Sequence, residues 1–303
     1  MNKLIPLMQR EWLQHRFGWL LMAVVPLGLA LLLTAFGQVQ FETDAARGPA
    51  DVPPALLALA CMAGSAAVLF VIAWFASLII VSGMARRDHG DRSIEFWLSL
   101  PTTHSASLVA PLLVHLLLVP AAALLVGLAG GGLLSLVLVG RVLGVAAWFG
   151  LPWLDLLWAA FSLTARLLVG LPLATLWLAP LILLVVLLAA WFKRWAWVIL
   201  GVGLGLGGQL LDRLFGQPLM SQITLGLLRH AGKAMVSAEN GLTIGPRDNP
   251  VDALRGLPAW AMHDFGFALR DLASPLLLGG LLFAAGCFAL LVHWRQRGAG
   301  AAG

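Results

Sequence analysis

The sequence predicts an all-α polytopic membrane protein. Three observations predict it: 60% of the 303 residues are hydrophobic against 11% charged, apolar runs reach spanning length, and the charges gather between those runs. The formal charge of +5 and the pI near 10.2 do not mark a nucleic-acid surface, because the basic residues flank apolar runs and read as topology signals. Cys61 and Cys287 each lie inside an apolar run, where a thiol behaves as a small hydrophobe, so neither a disulfide framework nor a metal site is implied.

Residues 2–16 place Leu4, Met8 and Trp12 at i, i+4 and i+8, with Lys3, Arg10, Gln14 and Arg16 largely elsewhere. This pattern predicts an amphipathic interfacial helix on the inner leaflet, with no cleavable signal peptide. The first span is expected at 18–36. A short polar outer loop with Glu42, Asp44, Asp51 and Pro53-Pro54 leads to a second span at 56–84.

The densest charge cluster follows, ARRDHGDRSIEFWLSLPTTHSASL at 85–108, between two apolar runs. A polar segment so placed lies at a membrane surface, and its arginines predict the cytoplasmic one. Ile94, Trp97 and Leu98 share one helical face while Asp91, Glu95 and Ser99 share another, and Pro101 ends the helix. The plain alternative is a solvated loop with an interfacial aromatic anchor.

A third span at 107–128 ends in Gly130-Gly131-Gly132 or extends to Val139. Residues 140–166 carry Arg141, Pro152, Asp155 and Arg166 and are read as an outer interfacial helix or partly re-entrant segment. Asp155 and Arg166, three helical turns apart, can share a face. The fourth span at 168–192 contains Pro172 and Pro180 and ends at Lys193-Arg194. The fifth, 195–211, carries five glycines, and the last, 275–292, ends in HWRQR.

Six spans with both termini inside follow. Ten basic residues then lie in cytoplasmic segments and three in the short outer ones, Arg47, Arg141 and Arg166. The other six lie in the long segment 212–274, whose length lets it cross regardless of charge. That segment has helix-like stretches at 220–238 and 258–273 and is expected to form a helical cap on the outer surface.

Candidate chemistry is sparse. The fifth-span glycines lack the strand context of a dinucleotide site and read as packing glycines, with Gly201, Gly205 and Gly208 the candidates for a dimer contact or gate. The segment from Gly226 to Ala234 has the wrong spacing for a phosphate loop, so this chain is not expected to hydrolyse ATP. No catalytic residue is assigned. His115, inside the third span, is a candidate pathway residue or proton carrier, with a neutral imidazole bonded to nearby backbone as the plain alternative. Gln209 is a second pathway candidate. His230 and His263 stand apart from other ligands, so no metal is assigned.

Two stretches, LMQREWLQHRFGWL and RRDHGDRSIEFWLSLPTTHSASLVAPLL, give the chain its resemblance to permeases of the type-2 ABC exporter family. The first resembles the family's basic amphipathic leading helix with its Lys/Arg-Glu pair. The second resembles the connection between spans two and three. The resemblance implies a permease dimer in the bacterial cytoplasmic membrane, docked on two copies of a separate ATPase that bind ATP and Mg²⁺. It makes 91–100 the coupling helix within the loop 86–101, with Asp91, Ile94, Glu95, Trp97 and Leu98 facing the ATPase. No cofactor is expected in this chain and no nucleic acid among its partners. The apolar path suits a peptide, lipid or drug.

A secondary transporter or channel is the rival, and it predicts paired ionisable residues at depth. A membrane scaffold or sensor is a third reading.

Overall fold

The computed structural model describes residues 4–37, 53–90, 104–216, 218–237 and 249–300, and every regular element among them is helical. The elements are α1 (Leu4–Phe36), α2 (Pro54–Gly90), α3 (His104–Leu113), a π-helical turn (Val114–Leu118), α4 (Val119–Val142), α5 (Val145–Phe149) and α6 (Trp153–Phe192). A 3₁₀ turn (Lys193–Trp195), α7 (Ala196–Val202), a second π-helical turn (Gly203–Gly207), α8 (Gly208–Phe215), α9 (Leu219–Met235), α10 (Pro250–Asp271) and α11 (Pro275–Gly300) follow. Five segments are long and apolar enough to cross a bilayer: Leu4–Phe36, Pro54–Met84, Ser105–Val142, Trp153–Phe215 and Pro275–Gln296. The fourth, 63 residues long, folds back at Lys193, whose φ of 59° is uncommon without glycine. Its two arms are α6 before the turn and α7 to α8 after it.

Contacts between distant residues fix the helix directions. Glu11 meets His115, Leu27 lies against Gly130, and Arg141 donates to the carbonyls of Thr34 and Gly37, so α1 runs parallel to α3 and α4. Ser65 donates to the Gly127 carbonyl at 2.6 Å while Met62 faces Gly131, so α2 runs antiparallel to α4. Leu57 clusters with Leu156 and Val81 with Val186, placing α6 parallel to α2.

Two apolar clusters mark opposite ends of the bundle. Met84, Leu108, Ala190 and Leu291 meet at one end, joining the close of α2, the start of α3, and the closes of α6 and α11. Ala55, Leu57, Val139, Leu156, Leu254 and Leu257 meet at the other. Directions therefore alternate from α1 to α2, to the continuous α3–α4 segment and to α6, as repeated crossings of one slab require.

Several expectations are corrected. No break separates a surface helix from the first span: α1 continues through Phe17 and Gly18 for 33 residues. Helix α4 does not stop at the triple glycine but continues to Val142. Glycine is tolerated there because it admits close neighbours: a Cβ on Gly131 would lie 2.5 Å from the Cys61 oxygen, and one on Gly127 2.5 Å from the Ala66 Cα.

The uncertain stretch 140–166 resolves into a turn at Gly144, the short α5, and the first turns of the 40-residue α6, about 60 Å long. Such a helix exceeds the roughly 30 Å hydrocarbon core, so part of it projects beyond. Against α6 lie both helices of the segment expected to cap the outer surface. Leu254 and Leu257 of α10 cluster with Leu156 and Ala160, whereas α9 reaches the middle of α6, with His230 stacked on Trp177 at 4.4 Å. An amphipathic α9 buries Leu227, Ala231 and Ala234 there.

Candidate functional site

The sequence singles out His115, and the structure gives it company. Its π-helical turn closes with the Val119 N–H bonded to the Val114 carbonyl, five residues back. Such wide turns recur at functional sites. Pro120 contributes to the irregularity, because it has no N–H for the Leu116 carbonyl. The turn holds His115 wholly buried.

Across from it, α1 presents Glu11, His15 and Trp19 at successive i+4 positions, one stripe of a single helix. Glu11 is 2% exposed, and its Oε2 lies 3.4 Å from His115 Nε2. The His15 ring stands edge-on to His115 at 5.1 Å between centroids, and the Trp19 ring lies 5.6 Å away. One ligand-capable atom from each of Glu11, His15 and His115 falls within 4.8 Å of the others. Buried nitrogens remain in this cluster: neither His115 Nδ1 nor the Trp19 Nε1–H has a hydrogen-bond partner.

The sequence reading missed Glu11 and His15 as site residues. The signal was present, since the pattern E-x-x-x-H-x-x-x-W puts all three side chains on one face. It was obscured by reading this stretch as a surface helix.

A second feature is apolar. A cavity of ≈ 290 Å³ opens between α2, α6, α7 and α9, lined by Trp74, Leu78, Ile182, Trp197, Leu200 and Leu228 among others. Trp197 Nε1 donates to Ser82 Oγ at 3.2 Å at its edge, tying α7 back to α2.

The remaining predicted residues fare differently. Gln209 is exposed on α8, and the structure does not bring it to His115, which faces α1. Asp212 caps α9 by accepting from the Met220 N–H at 3.3 Å and the Ser221 hydroxyl at 3.1 Å. Gly201 and Gly205 have open space where a Cβ would stand, and Gly208 approaches only the Met220 side chain. Close packing within the chain is thus not the role of Gly201 and Gly205, which are exposed, whereas Gly208 is buried. Asp91, Ile94, Glu95, Trp97 and Leu98 lie outside the described residues.

Asp155 and Arg166 do share a face of α6, each bound to α10 rather than to the other. Asp155 bonds the exposed Arg255 at 3.0 Å, and this hydrogen bond, with the nearby charge, raises the Arg255 pKa. Arg166 bonds the buried Asp264 at 2.9 Å.

Fold and site together define a helical membrane protein with ionisable side chains buried between its first and third apolar segments. No protein family, curated protein or solved structure matches the chain.

Proposed function

We propose that this chain is the permease subunit of an ATP-driven exporter of the type-2 ABC kind. One arrangement carries the reading: the close of α2, the start of α3 and the Lys193-Arg194 turn lie at one end of the bundle. There α2 closes and α3 begins beside the close of α11, with Arg295 donating to Ser107 Oγ at 2.7 Å. The exposed Lys193-Arg194 turn closes α6 at the same end. By the excess of Lys and Arg this end faces the cytoplasm, where a soluble ATPase can reach it.

In this reading 91–100 is the coupling helix. Asp91, Ile94, Glu95, Trp97 and Leu98 contact the ATPase, which binds ATP and Mg²⁺, in two copies per permease dimer. The open faces of Gly201 and Gly205 serve the contact with a second copy. The ≈ 290 Å³ cavity suits an amphipathic or apolar cargo such as a peptide, lipid or drug. ATP-driven closure rocks the helices between inward-facing and outward-facing states in a bacterial cytoplasmic membrane.

The test is co-purification with an ATPase encoded beside this gene, comparing wild type with Glu95→Ala and Trp97→Ala, followed by ATPase activity in lipid. The reading expects association and activity that both substitutions weaken. Association and activity that neither substitution alters would remove 91–100 as the coupler.

A second reading rests on a specific observation. A secondary transporter requires paired ionisable groups at depth, and Glu11 with His115 is such a pair. Cargo movement that follows a proton gradient in vesicles without any ATPase would favour it.

A further inference from the structure

We propose that Glu11, His15 and His115 form a binding site for a divalent transition-metal ion of the zinc class. Two imidazoles and one carboxylate are a donor set that suits Zn²⁺, with a fourth position left for water. The spacing agrees. Glu11 Oε2 and His115 Nε2 stand 3.4 Å apart, longer than the roughly 2.7–2.9 Å of a charge-assisted hydrogen bond. Two donors on a tetrahedral ion with bonds of about 2.0–2.1 Å are separated by about 3.3–3.4 Å.

His15 completes the set from one turn further along α1, its ring against that of His115. Being half-buried, it leaves the ion a way in from the surface.

Two independent observations point to an occupant. His115 is fully buried, and the polar contact of its Nε2 is a long one, 3.4 Å to the Glu11 carboxylate. A cation between ring and carboxylate compensates that burial. Trp19 Nε1, beside the same imidazole and also buried without an acceptor, can donate to a water or hydroxide on the fourth metal position.

The consequence is structural as well as chemical. Helix α1 buries only Leu7, Glu11 and Trp19, so its packing against the bundle is slight, and an ion bound to Glu11, His15 and His115 pins it to the turn after α3. The inference stands apart from the exporter reading, since it needs no ATPase.

The experiment uses the full-length protein, purified in detergent through a histidine-free tag, stripped with a chelator and titrated with Co²⁺ and then Zn²⁺. Wild type is expected to bind one ion per chain, with the visible absorption of low-coordinate Co²⁺, and to unfold at a higher temperature once loaded. His15→Gln should weaken binding by well over the roughly 10–100-fold that loss of an outer hydrogen-bond partner brings, whereas His263→Gln should leave it unchanged. Half-buried His15 is substituted first because His115→Gln disturbs the core. Wild type that takes up neither ion at micromolar concentration overturns the proposal, and so does His15→Gln that binds as wild type does.

Discussion

Arg166 of α6 donates its Nε to Asp264 Oδ2 of α10 at 2.9 Å, and the two side chains are 2% and 0% exposed. The pair ties three helices, because Arg166 Nη1 also donates to the Ala234 carbonyl at the end of α9. Asp264 in turn accepts the Ser237 N–H at 3.1 Å. A buried ion pair is tolerated when the hydrogen bonds around it are made, and removing one partner strands the other.

Asp264→Ala should therefore destabilise the protein by about 3–5 kcal/mol, the range for an uncompensated buried charge. Thermal or denaturant unfolding in detergent measures it. The double replacement Arg166→Met with Asp264→Leu should recover most of that loss. A double variant no more stable than Asp264→Ala would show that the backbone bonds to Ala234 and Ser237 matter more than the charge.

The α2 and α4 contact rests on glycine. A Cβ at Gly131 would lie 2.2 Å from Ser65 Oγ and 2.5 Å from the Cys61 oxygen, whereas one at Gly132 meets nothing within 4 Å. Gly131→Ala is expected to lose about 1–3 kcal/mol as the helices are forced apart, and Gly132→Ala to stay neutral or gain slightly from helix propensity. Unfolding curves of the two variants, one residue apart, separate packing from propensity.

The fifth-span glycines make the opposite prediction. With open space at Gly201 and Gly205, alanine should leave the fold intact and add up to about 1 kcal/mol of helix stability at each. If α7 forms the contact with a second copy, the same double variant should shift dimer to monomer, read by light scattering in detergent. Unchanged dimer would place that contact elsewhere.

Arg141 holds the far end of α1 by donating to the Thr34 and Gly37 carbonyls. These carbonyls close a helix and lack intrahelical partners. Arg141→Met should cost about 1 kcal/mol and speed amide exchange at residues 34–37, while the middle of α1 keeps its protection.

Much of the architecture was legible locally. Apolar runs at 18–36, 56–84 and 275–292 became parts of α1, α2 and α11 because hydropathy over some twenty residues reports the medium that a helix must occupy. Boundaries were less legible. Nothing between Arg16 and Gly18 prevents a helix from continuing, and propensity alone does not stop α4 at glycines that fill a contact.

Composition and hydropathy determined that this chain is a helical membrane protein, because the preference of a segment for lipid is a property of that segment alone. Tertiary structure decided which charged groups meet. Asp155 and Arg166 share a face of α6, but their partners lie on α10, and His115 finds Glu11 only because α1 runs parallel to α3 and turns that stripe inward. Pairings between residues about a hundred positions apart depend on helix direction and rotation. Neither is encoded in the local period of either helix.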